Sequence, residues 1–388
     1  MAKLTFNKLK RTEAIWLPQI PEHWDLIKVR HLFKESTKKG FPNETLLVAS
    51  QEHGVVSKGT YGKRTVEATK DLQNLKLVEQ GNFVISLRSF QGGIELAHER
   101  GIISPAYTIM EETSQIDKRY FKNLFKSPPF ISLMTLCVKG IREGQNIDYP
   151  TFKNEYLPFP PLEEQQEISA YLDKKNNKID KFIRNKERLI ELLEEQKITI
   201  IHQSISESKS EKKRLKFACF LSRGYDLSSD KFKDGNTPIY GSNGIIGYHN
   251  FATTKAPCIT VGRSGSVGEV NFVDCDFWAH NTSLYVYRNY KNDWKFLYFL
   301  LLTLDMKSYA AGTAVGSLNR NNVHEILVSI PKINEQINIA NKIQSELNKI
   351  NLAISKAQKE ISSIKEYREA LITDLVTGKR SVPQSQMI

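Results

Sequence analysis

The sequence predicts an α+β protein: two globular units of mixed α/β content, separated by two long helices that pair with each other. Three observations predict it. A nine-residue segment recurs 171 residues further along, each copy opens a long apolar run at heptad spacing, and a strand, glycine turn and strand precede each copy.

The recurring segment is Pro160-Pro161-Leu162-Glu163-Glu164-Gln165-Gln166-Glu167-Ile168, which returns as Pro331-Lys332-Ile333-Asn334-Glu335-Gln336-Ile337-Asn338-Ile339. The match continues downstream, with Leu172, Ile179, Ile183, Ile190 and Leu193 answered by Ile343, Ile350, Ile354, Ile361 and Ile364. These positions step by alternating threes and fours. Residues at that spacing stay on one side of a slightly supercoiled helix, so the stripe must be buried against another helix. Asn176, Lys186 and Lys197 interrupt the first stripe. Proline ahead of each run and acids in its first turn mark helix starts. Each helix of roughly forty residues would span about 60 Å.

The globular segments echo one another more faintly. Asn82 to Ser89, a Gln-Gly-Gly turn and Ile94 to Leu96 correspond to Cys258 to Ser264, a turn through Gly265 and Gly268, and Glu269 to Phe272. Both read as strand, tight turn and strand. Here the offset is four residues larger than in the helices, as expected of variable surfaces mounted on a fixed frame. The chain thus divides into an N-terminal segment (1–21), a first globular domain (22–159), a central helical spacer (160–205), a second globular domain (211–330), a C-terminal helical spacer (331–378) and a tail (379–388). The polar run from Ser204 to Lys213 reads as a linker, and the tail as loose.

Lys and Arg total 55 against 43 acids, a net charge of +12. Such a surplus favours a polyanionic partner, because each cation on a phosphate releases a condensed counterion. No apolar run approaches the roughly 20 residues of a membrane span. The first residues lack the apolar stretch of an export signal, so a cytoplasmic protein is expected. The four cysteines are scattered without metal-ligand spacing, which predicts reduced thiols and no metal site.

Three patterns suggest catalysis, and each is incomplete. Ser127-Pro128-Pro129-Phe130 resembles the motif that holds a flipped base in amino-methyltransferases, but it follows a helical stretch and no methyl-donor loop precedes it. Gly262, Gly265 and Gly268 match neither phosphate-binding spacing and lead into a strand. Glu195 and Lys197 sit on the heptad helix, where no two-metal site can assemble. The alternative of a self-sufficient methyltransferase or nuclease therefore finds no complete set of groups.

Binding has more material. In the second domain, Tyr240, Ser242, Asn243, Arg263, Ser264, Ser266, Thr313, Ser317, Asn319 and Arg320 offer donors suited to base edges or phosphates. In the first, the corresponding set is Lys58, Tyr61, Lys63, Arg64, Arg88, Ser89, Gln91, Arg142, Gln145 and Asn146.

These features converge on a known family. Pro21-Glu22-His23-Trp24 with Val29-Arg30-His31-Leu32, the Pro-Pro-Leu-Glu-Glu-Gln segment with its second copy, and the closing Leu371 to Lys379 resemble the specificity subunits of type I restriction–modification systems. The resemblance covers nearly the whole chain. It implies two target-recognition domains related by a pseudo-two-fold axis, with the long helices antiparallel. Each domain would read one half of a split site in double-stranded DNA. Two modification subunits carrying S-adenosylmethionine would dock and methylate adenine, and two restriction subunits using ATP and Mg2+ would complete the assembly. The chain itself would hold no cofactor. Lys332-Ile333-Asn334 replaces Pro161-Leu162-Glu163 in the second copy, so the two docking surfaces differ.

Overall fold

The computed structural model describes residues 8–62, 71–86, 92–139, 146–207, 210–310 and 316–383. Two compact units result, residues 1–184 with 360–388 and residues 185–359. The division cuts both long helices, Leu162–Ser206 and Ile333–Val376. Each unit therefore holds one globular part, the first half of the helix that follows it, and the second half of the other helix.

The first unit is built on a four-stranded antiparallel sheet in the order Phe33–Ser36, Thr108–Glu112, Phe83–Ile85, Glu95–Leu96. Phe33, Phe83, Phe121 and Phe125 meet there at ring separations of 5.1–5.8 Å, mostly edge-on, an arrangement that suits the aromatic quadrupole. Ile168 and Leu172 from the start of the central helix join this core, together with Leu371, Leu375 and Val376 from the end of the C-terminal helix. Buried Tyr120 donates to the Val376 carbonyl at 2.9 Å, and Trp24 Nε1 donates to Glu164 at 3.0 Å. The Pro-Glu-His-Trp motif thus fastens the first turn of the central helix. Residues 379–383 are not a loose end: Val382 packs on the core, and Gly378, at φ +71°, leaves no room for a Cβ beside Pro21.

The second unit repeats the design. Its sheet runs Phe220–Arg223, Ser283–Arg288, Cys258–Gly262, Val270–Val273, the same order of strands, and the expected hairpin pairs Cys258 with Val273. Ile201 and Ile205 from the end of the central helix share its core with Ala340, Ile343 and Leu347 from the start of the C-terminal helix. Start meets end in one unit and end meets start in the other, so the helices run antiparallel. Both ends of the expected linker are structured: the central helix continues to Ser206, and Lys212–Arg214 pairs with Leu327–Ser329.

Along the predicted stripe, Leu172, Ile179, Ile183, Ile343, Ile350 and Ile354 are buried. Ile190, Leu193, Ile361 and Ile364 are half-buried. Charged side chains lie along the same stripe, where Arg368 pairs with Asp180, and Lys197 with Glu194 at 2.8 Å.

One device appears twice. Gln165 and Gln336 are both buried; each donates to the proline carbonyl five residues back, at 2.9 and 2.8 Å. Each also accepts the backbone N–H of an aspartate, Asp117 at 2.9 Å and Asp293 at 2.8 Å. Those aspartates cap the helices Lys118–Phe125 and Trp294–Leu302. The repeated glutamine thereby locks each long helix to the domain before it.

Candidate nucleic-acid interface

In the second unit, close backbone approach gathers the polar residues. The strands Thr237–Gly241 and Gly244–His249 are joined at Ser242-Asn243, with Gly244 at φ +91°. A Cβ on Gly262 would lie 2.5 Å from the Ser242 carbonyl and 1.9 Å from that of Ser266, so this turn and the 263–268 turn touch only because residue 262 is glycine. Arg263 and Ser264 donate backbone N–H groups to Thr282 at 2.9 and 3.2 Å. Ser264 pairs with Ser317, and Leu318 N–H donates to Arg263 at 2.7 Å. Asn319 caps the helix Arg320–His324.

These contacts leave a cleft of about 470 Å³ lined by Arg223, Arg263, Leu284, Ser317, Leu318, Asn319 and Arg320. Arg223 donates to Asp226 at 2.7 Å, Arg263 to the Asn281 carbonyl at 3.3 Å, and Arg320 lies over the Phe220 ring at 5.9 Å. Ser266 and Ser242 are half-buried beside the cleft, whereas Asn243 is exposed. Tyr240 is turned toward the core, edge-on to Phe277 at 5.4 Å. Arg223 escaped the sequence reading. Its signal was the following glycine: a Cβ on Gly224 would sit 2.2 Å from the His280 carbonyl, the same forced approach that places Arg263 after Gly262.

Of the first unit's set, Lys58, Tyr61 and Asn146 are among the described residues. Lys58 and Tyr61 share the one-turn helix Lys58–Tyr61, capped by Ser57, with Tyr61 edge-on to His53 at 6.4 Å. Asn146 lies in the strand Asn146–Ile147, paired with Val138–Lys139. Lys63, Arg64, Arg88, Ser89, Gln91, Arg142, Gln145 and Thr313 lie outside the described residues.

Among the described residues, no catalytic set assembles around the enzyme-like motifs. Ser127 spends its hydroxyl on the Leu124 carbonyl at 2.7 Å and opens the helix Pro128–Leu136. The Gly262–Gly268 turn leads into the strand Val270–Val273 and not into a helix. Among the described residues no three His, Cys, Asp or Glu side chains gather as a metal site, and no helix is long and apolar enough to cross a membrane.

The chain is thus a duplicated α+β fold, and the turns of its second unit gather arginine, serine and asparagine around one cleft. The family described as type I restriction modification DNA specificity domain matches residues 21–195 and 207–366, and the chain belongs to that family. Its members are the specificity subunits of type I systems, non-catalytic subunits that recognise DNA and carry no cofactor themselves, which sets aside the self-sufficient enzyme.

No curated protein matches the chain significantly in sequence. Among solved structures, the fold is similar to a chain from work on complex assembly and conformational transition of the type I R-M system, with TM-score 0.72 and 14% identity over 92% of this chain and 98% of that one. It is also similar to the HsdS subunit from Thermoanaerobacter tengcongensis, with TM-score 0.57 and 14% identity over 93% and 98%.

Proposed function

We propose that this subunit reads a bipartite site in double-stranded DNA, one half through residues 22–159 and the other through residues 211–330, with the antiparallel helices fixing the unread spacer. The duplication carries this reading: the same sheet order and the same glutamine lock occur twice, so whatever one domain does to DNA the other is built to do as well. The candidate residues around the Ser242 and Arg263 turns contact one half-site, and those around Lys58 and Tyr61 the other. Two modification subunits dock on the helical regions, bring S-adenosylmethionine and methylate adenine. Restriction subunits, with ATP and Mg2+, add cleavage. The similarity to a chain from work on complex assembly of the type I R-M system supports these partners.

Exchanging residues 211–330 for those of a relative with another target should change only one half of the methylated sequence, mapped after co-expression with the modification subunit. A change in both halves would overturn modular reading. Deleting four residues, about one helical turn, from each long helix should shorten the spacer and leave both half-sites intact.

A further inference from the structure

We propose that the Arg223–Arg263–Arg320 cleft of the second unit holds a backbone phosphate of the bound duplex, anchoring this domain without reading sequence. This rests on the proposal that the unit binds DNA, and goes further by assigning the cleft its ligand.

The register of the sheet sets the geometry. Arg223 stands opposite Leu284 on one side of the strand Ser283–Arg288, and Val261-Gly262 stand opposite Leu284 and Ser283 on its other side. Arg223 beside Leu284 and Arg263, which follows Gly262 and bonds to Thr282, line one cleft, and the 317–320 segment, tied to Arg263 and Ser264, lines it too with Arg320.

Charge decides the kind of ligand. Among the described residues, Asp226 is the one carboxylate in an ion pair with any of the three arginines. A base edge takes a bidentate pair of bonds from a single guanidinium. Three arginines lining one cleft with one paired acid supply more positive charge than a base edge uses, and match an anion with several acceptor oxygens. Each arginine is already held, by Asp226, by the Asn281 carbonyl or by the Phe220 ring, so little side-chain freedom is lost on binding. Ser317 and Asn319 supply neutral donors at the rim. The adjoining Ser242-Asn243 turn is left to approach the bases.

The test is fluorescence anisotropy on the full chain across a salt series, with the cognate duplex and an unrelated one. Arg223→Gln and Arg320→Gln should each weaken both duplexes by one common factor, about eightfold near 0.1 M salt, and lower the log–log salt slope by about one. The methylated sequence should stay unchanged. Arg320 is exposed, so its variant keeps the test open should Arg223→Gln misfold by stranding Asp226. A neutral methylphosphonate at one position of the duplex should remove the effect of Arg320→Gln. Orthophosphate at matched ionic strength should not compete, which separates a duplex phosphate from a free anion. Loss confined to the cognate duplex would make the cleft a base reader and overturn the proposal; unchanged binding of both duplexes by both variants would also overturn it. A wild-type chain without salt-dependent duplex binding would instead refute the broader function.

Discussion

Gln336 shows how one side chain can carry a junction. Its side chain accepts the part-buried Asp293 N–H and donates to the buried Pro331 carbonyl and to Asn292 Oδ1, so Gln336→Leu should lower the unfolding free energy by about 1–3 kcal/mol in urea titrations, and Gln165→Leu by a similar amount. Both glutamines were visible as a repeat, but their task was not, because the aspartates they hold lie 48 and 43 residues away. His324 gives a pH dependence. Its Nε2 accepts the Leu221 N–H at 3.0 Å, which requires the neutral ring. Burial depresses its pKa below the usual 6.5, and Arg320 and Lys216 add to the effect while Glu325 opposes it. The unfolded chain then binds the proton more readily, so this contribution is full above about pH 6.5 and is lost as pH falls below it. Replacement by Gln, which keeps an acceptor and does not titrate, should flatten the thermal stability profile over that range.

At the scale of elements, the heptad stripe and the glycine hairpin were legible because both are local patterns of burial. The three-stranded sheet of Gly244–His249, Thr237–Gly241 and Trp278–Ala279 was not, since its parallel pairing of Ile239 with Trp278 depends on chain segments that periodicity does not connect. The polar positions of the stripe acquire meaning only in the fold. Arg368 reaches Asp180 across the helix pair, whereas its counterpart in the repeat, Lys197, pairs with Glu194 of its own helix. The cross-helix pair is partly exposed, so reversing one charge should cost a few tenths to about 1 kcal/mol. Asp180→Arg combined with Arg368→Asp should recover most of that loss in a double-mutant cycle read by chemical denaturation. A strictly additive double variant would show that the two do not interact.

For the molecule as a whole, the structural units are not the linear segments. Because Leu371, Leu375 and Val376 belong to the first core, truncation after residue 330 should expose the first unit as well as the second. Limited proteolysis should then cut within residues 22–159 of the truncated chain, at sites protected in the full chain; continued protection would mean that the first unit folds without the C-terminal helix. By itself the sequence determined the duplication, the long apolar stripes, the hairpins and the basic surplus, since composition and short-range periodicity are properties of neighbouring residues. Only the tertiary structure decided that each core borrows the far end of the other helix, and that Arg223 joins Arg263 and Arg320. Both depend on surfaces brought together by backbone approaches at glycines and by burial between distant segments, and no local pattern encodes which distant surface will be met.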